Sequence, residues 1–364
     1  MTAPAAIPVS LLTGFLGAGK TTLLNHLLRD PKAGRIAVVV NEFGDAGLDH
    51  DLVEQAAEDV VLMAAGCICC SIRGDLSRTL TSLLARRQTG VLDFDRVIIE
   101  TTGLADPGPV HHTLLVDPQL APHFTLDGIV TVVDAVLGAD TLDQHSEAQA
   151  QVAMADRIVI SKMDRARRAD TQALKRRLDR LNPRATRLQA DHGAVPVEAL
   201  FHLSPLRRET GPQNVMDWLS AAPLPQSKDP LAGLSGFSVP QPGLTAAFEP
   251  SSHHAFDNRI VTASIEIEEP IAPGVFDFWL ETVIAARGAD MLRMKAILHI
   301  EGTETPYVIH GVQHIFEPPV PMKTWPHEDR TSRVVLIARD FSQGDLDHCL
   351  DVLRMRPKEV VTEM

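Results

Sequence analysis

Gly14-Phe15-Leu16-Gly17-Ala18-Gly19-Lys20-Thr21-Thr22 follows the apolar run 7–12 and opens a helical pattern carrying Leu23, Leu24, Leu27 and Leu28. A glycine-rich turn between strand and helix, closed by Lys and Thr, is a P-loop in the context it requires. Gly14, Gly17, Ala18 and Gly19 allow backbone N–H groups to turn inward around phosphate oxygens. Lys20 neutralises the β/γ charge, the Thr21 hydroxyl suits Mg²⁺, Thr22 completes the motif, and the helix N-terminus adds a partial positive charge. The predicted fold is therefore α/β, a P-loop NTPase domain with a mostly parallel sheet.

Working outward, short β-branched runs at 7–12, 36–41, 97–100, 128–134 and 157–161 alternate with helical patterns. That alternation predicts a parallel sheet covered on both faces. Residues 221–252 are rich in Pro, Gly, Ser and Ala and keep no period, as a linker does. The expected division is a nucleotide domain over 1–222, a linker over 223–256, and a small α+β domain over 257–364. In the last, strands are expected near 259–266, 292–300, 307–309, 312–316 and 333–338, with helices over 275–287 and from 344 onward. Phe276, Phe278, Trp279 and Leu280 are expected in its core.

A nucleotidase needs groups that sense the γ-phosphate and hold its metal, and these end strands neighbouring the P-loop. Two strand ends qualify. Glu100 closes the apolar run 97–99, and the Gly103 N–H follows three residues later; Glu42 lies in the polar, glycine-containing loop after 36–41. Each also fits an ordinary solvated acid after a strand. Ser161-Lys162-Met163-Asp164 follows another buried run and is similar to the guanine-reading strand end of GTPases, with Ser161 in place of the usual Asn. There Asp164 would accept from the two N–H groups on guanine's edge, and the Lys162 stem would pack on the ring. Adenine presents an acceptor at that edge, so the Asp selects GTP.

Asp and Glu number 47 against 34 Lys and Arg, and no basic block is present to follow a phosphate backbone, which argues against nucleic acid. Residues 1–10 lack a charged leader ahead of an apolar core, and no apolar run approaches the ~20 residues of a membrane span. A cytoplasmic protein without a membrane partner is expected. Of the four cysteines, Cys67, Cys69 and Cys70 stand within four residues while Cys349 is alone. That spacing fits a metal or redox site in a reducing compartment rather than a disulfide framework. Three thiolates favour Zn²⁺ or Cu⁺ and leave one tetrahedral position open for exchange. A redox thiol pair or small buried hydrophobes are the alternatives.

The P-loop, the run from Asn41-Glu42-Phe43-Gly44-Asp45 to Asp49, Gly66-Cys67-Ile68-Cys69-Cys70, Glu100-Thr101-Thr102-Gly103-Leu104-Ala105-Asp106-Pro107 and Ser161-Lys162-Met163-Asp164 together resemble the CobW-like GTPases, the zinc-regulated GTPase metallochaperones. His310-Gly311-Val312-Gln313-His314 and the segment from Trp325 to Arg333 resemble that family's C-terminal domain, so the likeness spans nearly the whole chain. It implies slow GTP hydrolysis coupled to delivery of a transition metal, zinc or cobalt, to a client metalloprotein. The ligands would be Cys67, Cys69 and Cys70 with Glu42 nearby, and Lys20, Thr21 and Glu100 would form the nucleotide and Mg²⁺ set. Related P-loop proteins dimerise around nucleotide, so a homodimer is a further expectation. Many relatives carry a long His-rich stretch before the C-terminal domain, where this chain has only His253-His254, which read as polar linker residues. His111-His112 read as a solvated helix face. No catalytic Gln or arginine finger is legible, so unassisted turnover is expected below roughly 1 s⁻¹. A kinase-like catalyst with a structural zinc, and a GTP-gated zinc scaffold or buffer, are the rival readings.

Overall fold

The computed structural model describes residues 6–41, 60–65, 72–204, 259–325 and 330–356. The first unit runs β1 (Ile7–Thr13), α1 (Lys20–Arg29), β2 (Ile36–Asn41), β3 (Val60–Ala65), α2 (Ile72–Gln88), β4 (Arg96–Glu100), α3 (Gly108–Val116), β5 (Phe124–Asp134), α4 (Gly138–Gln144), α5 (Ser146–Met154), β6 (Arg157–Ser161), α6 (Arg168–Leu181) and β7 (Thr186–Gln189). Among the described residues seven strands form one sheet in the order β3-β2-β4-β1-β5-β6-β7, every pairing parallel.

Alternation along the strands divides the core between the sheet's two faces. Val9, Leu11, Ala37, Val39, Val97 and Ile99 pack with Leu76, Leu80 and Leu83 of α2 and with Val110 and Leu114 of α3. Leu12, Val38, Ile98, Val130 and Val132 pack with Leu23, Leu24 and Leu27 of α1. The helical leucines recur at three- and four-residue spacing, and each buried one contributes roughly 1.5–3 kcal/mol. Two strands were not anticipated. Val60–Ala65 is β3, and the short, largely polar Thr186–Gln189 is β7 at the opposite edge. β5 also begins earlier than its apolar run suggests, at Phe124.

The second unit contains β8 (Ile260–Ile267), α7 (Pro273–Arg287), β9 (Met291–Leu298), β10 (Tyr307–Val312), β11 (Ile315–Phe316), β12 (Val320–Pro321), β13 (Ser332–Arg339) and α8 (Gln343–Asp351). Its strands pair antiparallel in the order β11-β10-β9-β13-β8, with β12 on β10. Phe276, Trp279 and Val283 bury one stripe of α7, and the Trp279 indole donates to Cys349 O at 2.7 Å. Phe278 is corrected: one position off that stripe, it is 65% exposed.

The two units are packed together. Ile260, Leu292, Val312 and Ile337 share an apolar cluster with Leu126 and Met154 of the first unit. Beside them Asp156, just before β6, pairs with Arg293 and lies 3.2 Å from Lys295; all three are buried. One Asp156 oxygen also accepts from Ile129 N at 3.0 Å, and Arg293 donates to Met154 O at 3.1 Å. Burial pushes the Asp156 carboxyl up, but Arg293 and Lys295 outweigh it and hold the group well below the carboxylate range. Burial pulls Lys295 down to about 8, with Asp156 opposing. The linker expected over 223–256 lies outside the described residues.

Candidate functional site

Strand ends converge at the carboxyl edge of the parallel sheet, where α/β proteins place ligands. Glu100 stands level with Leu12 on one side and Val40 on the other, Thr13 pairs with Thr131, and Asp134 pairs with Ser161. The P-loop connects β1 to α1 at this edge, and Gly19 caps the helix at φ 100°. Lys20 Nζ donates to Gly14 O at 3.0 Å, spanning the loop it closes. The Thr21 hydroxyl donates to Glu100 Oε1 at 3.0 Å, and Glu100 is 6% exposed. These are adjacent hard oxygen donors at a buried strand end, the donor type Mg²⁺ takes.

The segment after Glu100 is fixed to the P-loop. Thr101 N donates to Leu12 O at 2.9 Å, and its hydroxyl donates to the Thr13 hydroxyl at 2.9 Å. A Cβ at Gly103 would stand 2.7 Å from Leu16 N and 2.8 Å from Leu16 Cα, so only glycine permits this approach. The Gln151 amide, from α5, donates to both Gly103 O and Ala105 O at 3.1 Å. Sequence reasoning missed Gln151, since nothing in its local pattern separates it from a helix-face amide.

Ser161 is tied to the same loop: its hydroxyl donates to Ala18 O at 2.5 Å. The position where GTPases carry Asn is thus filled by a side chain that braces the P-loop. Lys162, at φ 55°, turns its ammonium to Asp134 Oδ2 at 2.6 Å. Asp134 was also missed; its other oxygen accepts from Val136 N and Leu137 N at 2.7 and 3.2 Å. Lys162, Asp134 and residues Phe15 to Ala18 line a cavity of about 190 Å³. Asp164 is exposed, 3.5 Å from Arg165 Nε and 3.9 Å from His192 Nε2. A bond to Asp191, and then Asp164, raises the His192 pKa above the usual imidazole range.

His111 corrects its sequence reading. It is 1% exposed, and Nε2 stands 3.2 Å from Glu317 Oε1 of the second unit. The His111 and His310 rings stack at 5.9 Å, and those of His112 and His314 lie 5.8 Å apart. Burial alone would raise Glu317, but hydrogen bonds from His111 and His310 bring it down to about 2. Glu42, Cys67, Cys69, Cys70, His253 and His254 lie outside the described residues.

Residues 8–189 match the model of the CobW/HypB/UreG nucleotide-binding domain, and residues 260–354 match that of the cobalamin synthesis protein cobW C-terminal domain. The chain is similar to zinc chaperone YjiA of Escherichia coli K12, 33% identical over 342 residues covering 93% of this chain and 96% of that one. It is also similar to zinc-regulated GTPase metalloprotein activator 1 of Schizosaccharomyces pombe, 39% identical over 165 residues, 43% of this chain and 39% of that one. Among solved structures, Zn(II)-bound YjiA GTPase from E. coli superposes with a TM-score of 0.68 at 26% identity, covering 96% of this chain and 100% of that one. With both domain models matched in order and a relative aligned over nearly its full length, the chain belongs to the CobW-like P-loop GTPase family.

Proposed function

We propose that the protein is a GTP-hydrolysing metallochaperone that couples its nucleotide state to the binding and transfer of a transition metal, zinc in the first instance, to a client metalloprotein. The observation that carries this reading is the placement of β3. Its last residue, Ala65, pairs with Asn41, and Val40 on that strand pairs with Glu100. β3 therefore ends at the same sheet edge as Glu100, with Ala65 two positions before Cys67 in the sequence. The relatives named zinc chaperones support zinc over cobalt as the cargo.

In this reading the P-loop amides and Lys20 hold the phosphates, Thr21 and Glu100 hold Mg²⁺, and Asp164 selects guanine. Bound Mg²⁺ supplies charge neutralisation between the β- and γ-phosphates. Gly103, held against Leu16, presents its N–H on the γ-phosphate side and senses whether that group is present. Cys67, Cys69 and Cys70, with Glu42, take the metal, and the open fourth position suits transfer. With no catalytic Gln or arginine finger legible in the sequence, unassisted hydrolysis is slow in this reading.

The test is Zn²⁺ affinity of the metal-free protein, by chelator competition, in GDP and in a non-hydrolysable GTP analogue, with a Cys67/Cys69/Cys70→Ser control. A nucleotide-dependent affinity that vanishes in the control supports coupling, and linkage requires an equal effect of zinc on nucleotide binding. Equal affinity in both states would leave a zinc buffer and end the transfer reading.

A further inference from the structure

The segment that follows Glu100 is held from the other domain as well as from its own. Gln313 occupies the turn between β10 and β11 at φ 55°, and its amide Nε2 donates to Asp106 Oδ2 at 2.8 Å. The second Asp106 oxygen accepts from Gly108 N at 2.8 Å, at the start of α3. One carboxylate therefore joins the C-terminal hairpin to the first turn of the helix that follows the Glu100–Gly103 segment. Gly108 and the Gln313 amide are in close contact: a Cβ on Gly108 would stand 2.5 Å from the Gln313 Oε1. One turn further along α3, His111 meets Glu317, whose own N donates to His310 O at 3.0 Å. Gln151 of α5 holds the same segment through Gly103 O and Ala105 O.

From this geometry we infer that Gln313, seconded by Glu317, is a positioning residue for GTP hydrolysis: the C-terminal domain fixes residues 103–111 so that the Gly103 N–H and the Glu100 carboxylate are held for the reacting phosphate. The inference rests on the GTPase reading above. A displacement of about 1 Å at such a group can cost about 100-fold in rate, because orientation acts on the transition state. The hairpin that supplies Gln313 is thereby also a route for a partner on the C-terminal domain to alter turnover without touching nucleotide.

The experiment uses the full chain and reverses one pair. Gln313→Glu sets a carboxylate against Asp106; adding Asp106→Asn restores an amide–carboxylate pair with donor and acceptor exchanged, and the Asn carbonyl still accepts from Gly108 N. GTP turnover is measured with KM, alongside hydrogen exchange of the amides of 103–111 in the nucleotide-free protein. The single variant is expected to lose about tenfold in kcat with KM held within about twofold, and to exchange faster over 103–111 only. The double variant recovers both to within about threefold. Unchanged kcat in the single variant, or a loss that the double variant does not rescue, overturns the inference. A wild-type chain that hydrolyses no GTP overturns the GTPase reading instead, and the exchange data then decide the positional claim by the same rescue.

Discussion

The Thr21 hydroxyl and the Glu100 carboxylate are hydrogen-bonded at 3.0 Å although they stand 79 positions apart in the chain. The contact exists because β4 inserts between β1 and β2, so the strand after the P-loop strand in space is not the next in sequence. Glu100 →Gln keeps the shape and an acceptor but removes the charge that would face the metal. GTP turnover is expected to fall at least 100-fold, about 2.7 kcal/mol of barrier. Mg²⁺-independent nucleotide binding should change less than threefold. Steady-state turnover and titration with a fluorescent GDP, with and without Mg²⁺, check both halves.

Asp164 and Ser161 divide work that one motif suggests they share. Ser161 braces Ala18, while Asp164 projects toward Arg165 and His192. Asp164→Asn should weaken GTP at least tenfold, about 1.4 kcal/mol, and shift preference toward xanthosine triphosphate. Ser161→Ala should weaken GTP and ATP by the same factor, since the lost bond supports the P-loop and not the base. Competition binding with the three nucleotides separates these outcomes, and an unchanged GTP preference in Asp164→Asn removes that residue from the base site.

The parts of this molecule legible in its sequence are those with a local signature. The P-loop declares itself by glycine spacing and by its flanking strand and helix, and Glu100 by ending an apolar run. β7 is not legible because an edge strand such as Thr186–Gln189 needs no apolar alternation, only a neighbour to pair with. His111 reads as solvated because helical spacing reports one domain's own faces and is silent about a second domain covering them. Arg293 and Lys295 look like ordinary charges in β9, and only contact with Asp156, 137 residues away for Arg293, makes them buried partners. Gln313 and Glu317 are hidden for the same reason.

Asp156 gives a stability prediction. Removing one member of a buried ion-paired set leaves the remaining charges uncompensated, at a cost of about 3–5 kcal/mol. Asp156→Ala strands Arg293 and Lys295 at the domain interface and also frees Ile129 N. Denaturant unfolding should show that loss, with the transition splitting in two as the domains uncouple. A single transition shifted by less than 1 kcal/mol would mean the interface is held by its apolar cluster alone.

His310 makes stability fall in mild acid. Burial, reinforced by Arg293 and opposed by Glu317 and Asp156, brings its pKa from 6.5 to about 4. The ring stacks on His111, and its Nδ1 lies 3.5 Å from Glu317 Oε1, so the groups facing it are one imidazole, one guanidinium and two carboxylates. A folded-state pKa below the unfolded value means the unfolded chain binds the proton first. The contribution is therefore fully present above pH 6.5 and is lost as pH falls toward 4, amounting to about 2 kcal/mol by pH 5. Lys295 stays protonated throughout that window, and Glu317 begins to release its own contribution only below about pH 4.5, so neither produces the slope down to pH 5. Chemical denaturation at pH 7.5 and pH 5 should show the difference, and His310→Gln, which cannot titrate, should remove most of it. If the variant loses as much stability on acidification as the parent chain, the acid sensitivity originates elsewhere and His310 carries no part of it.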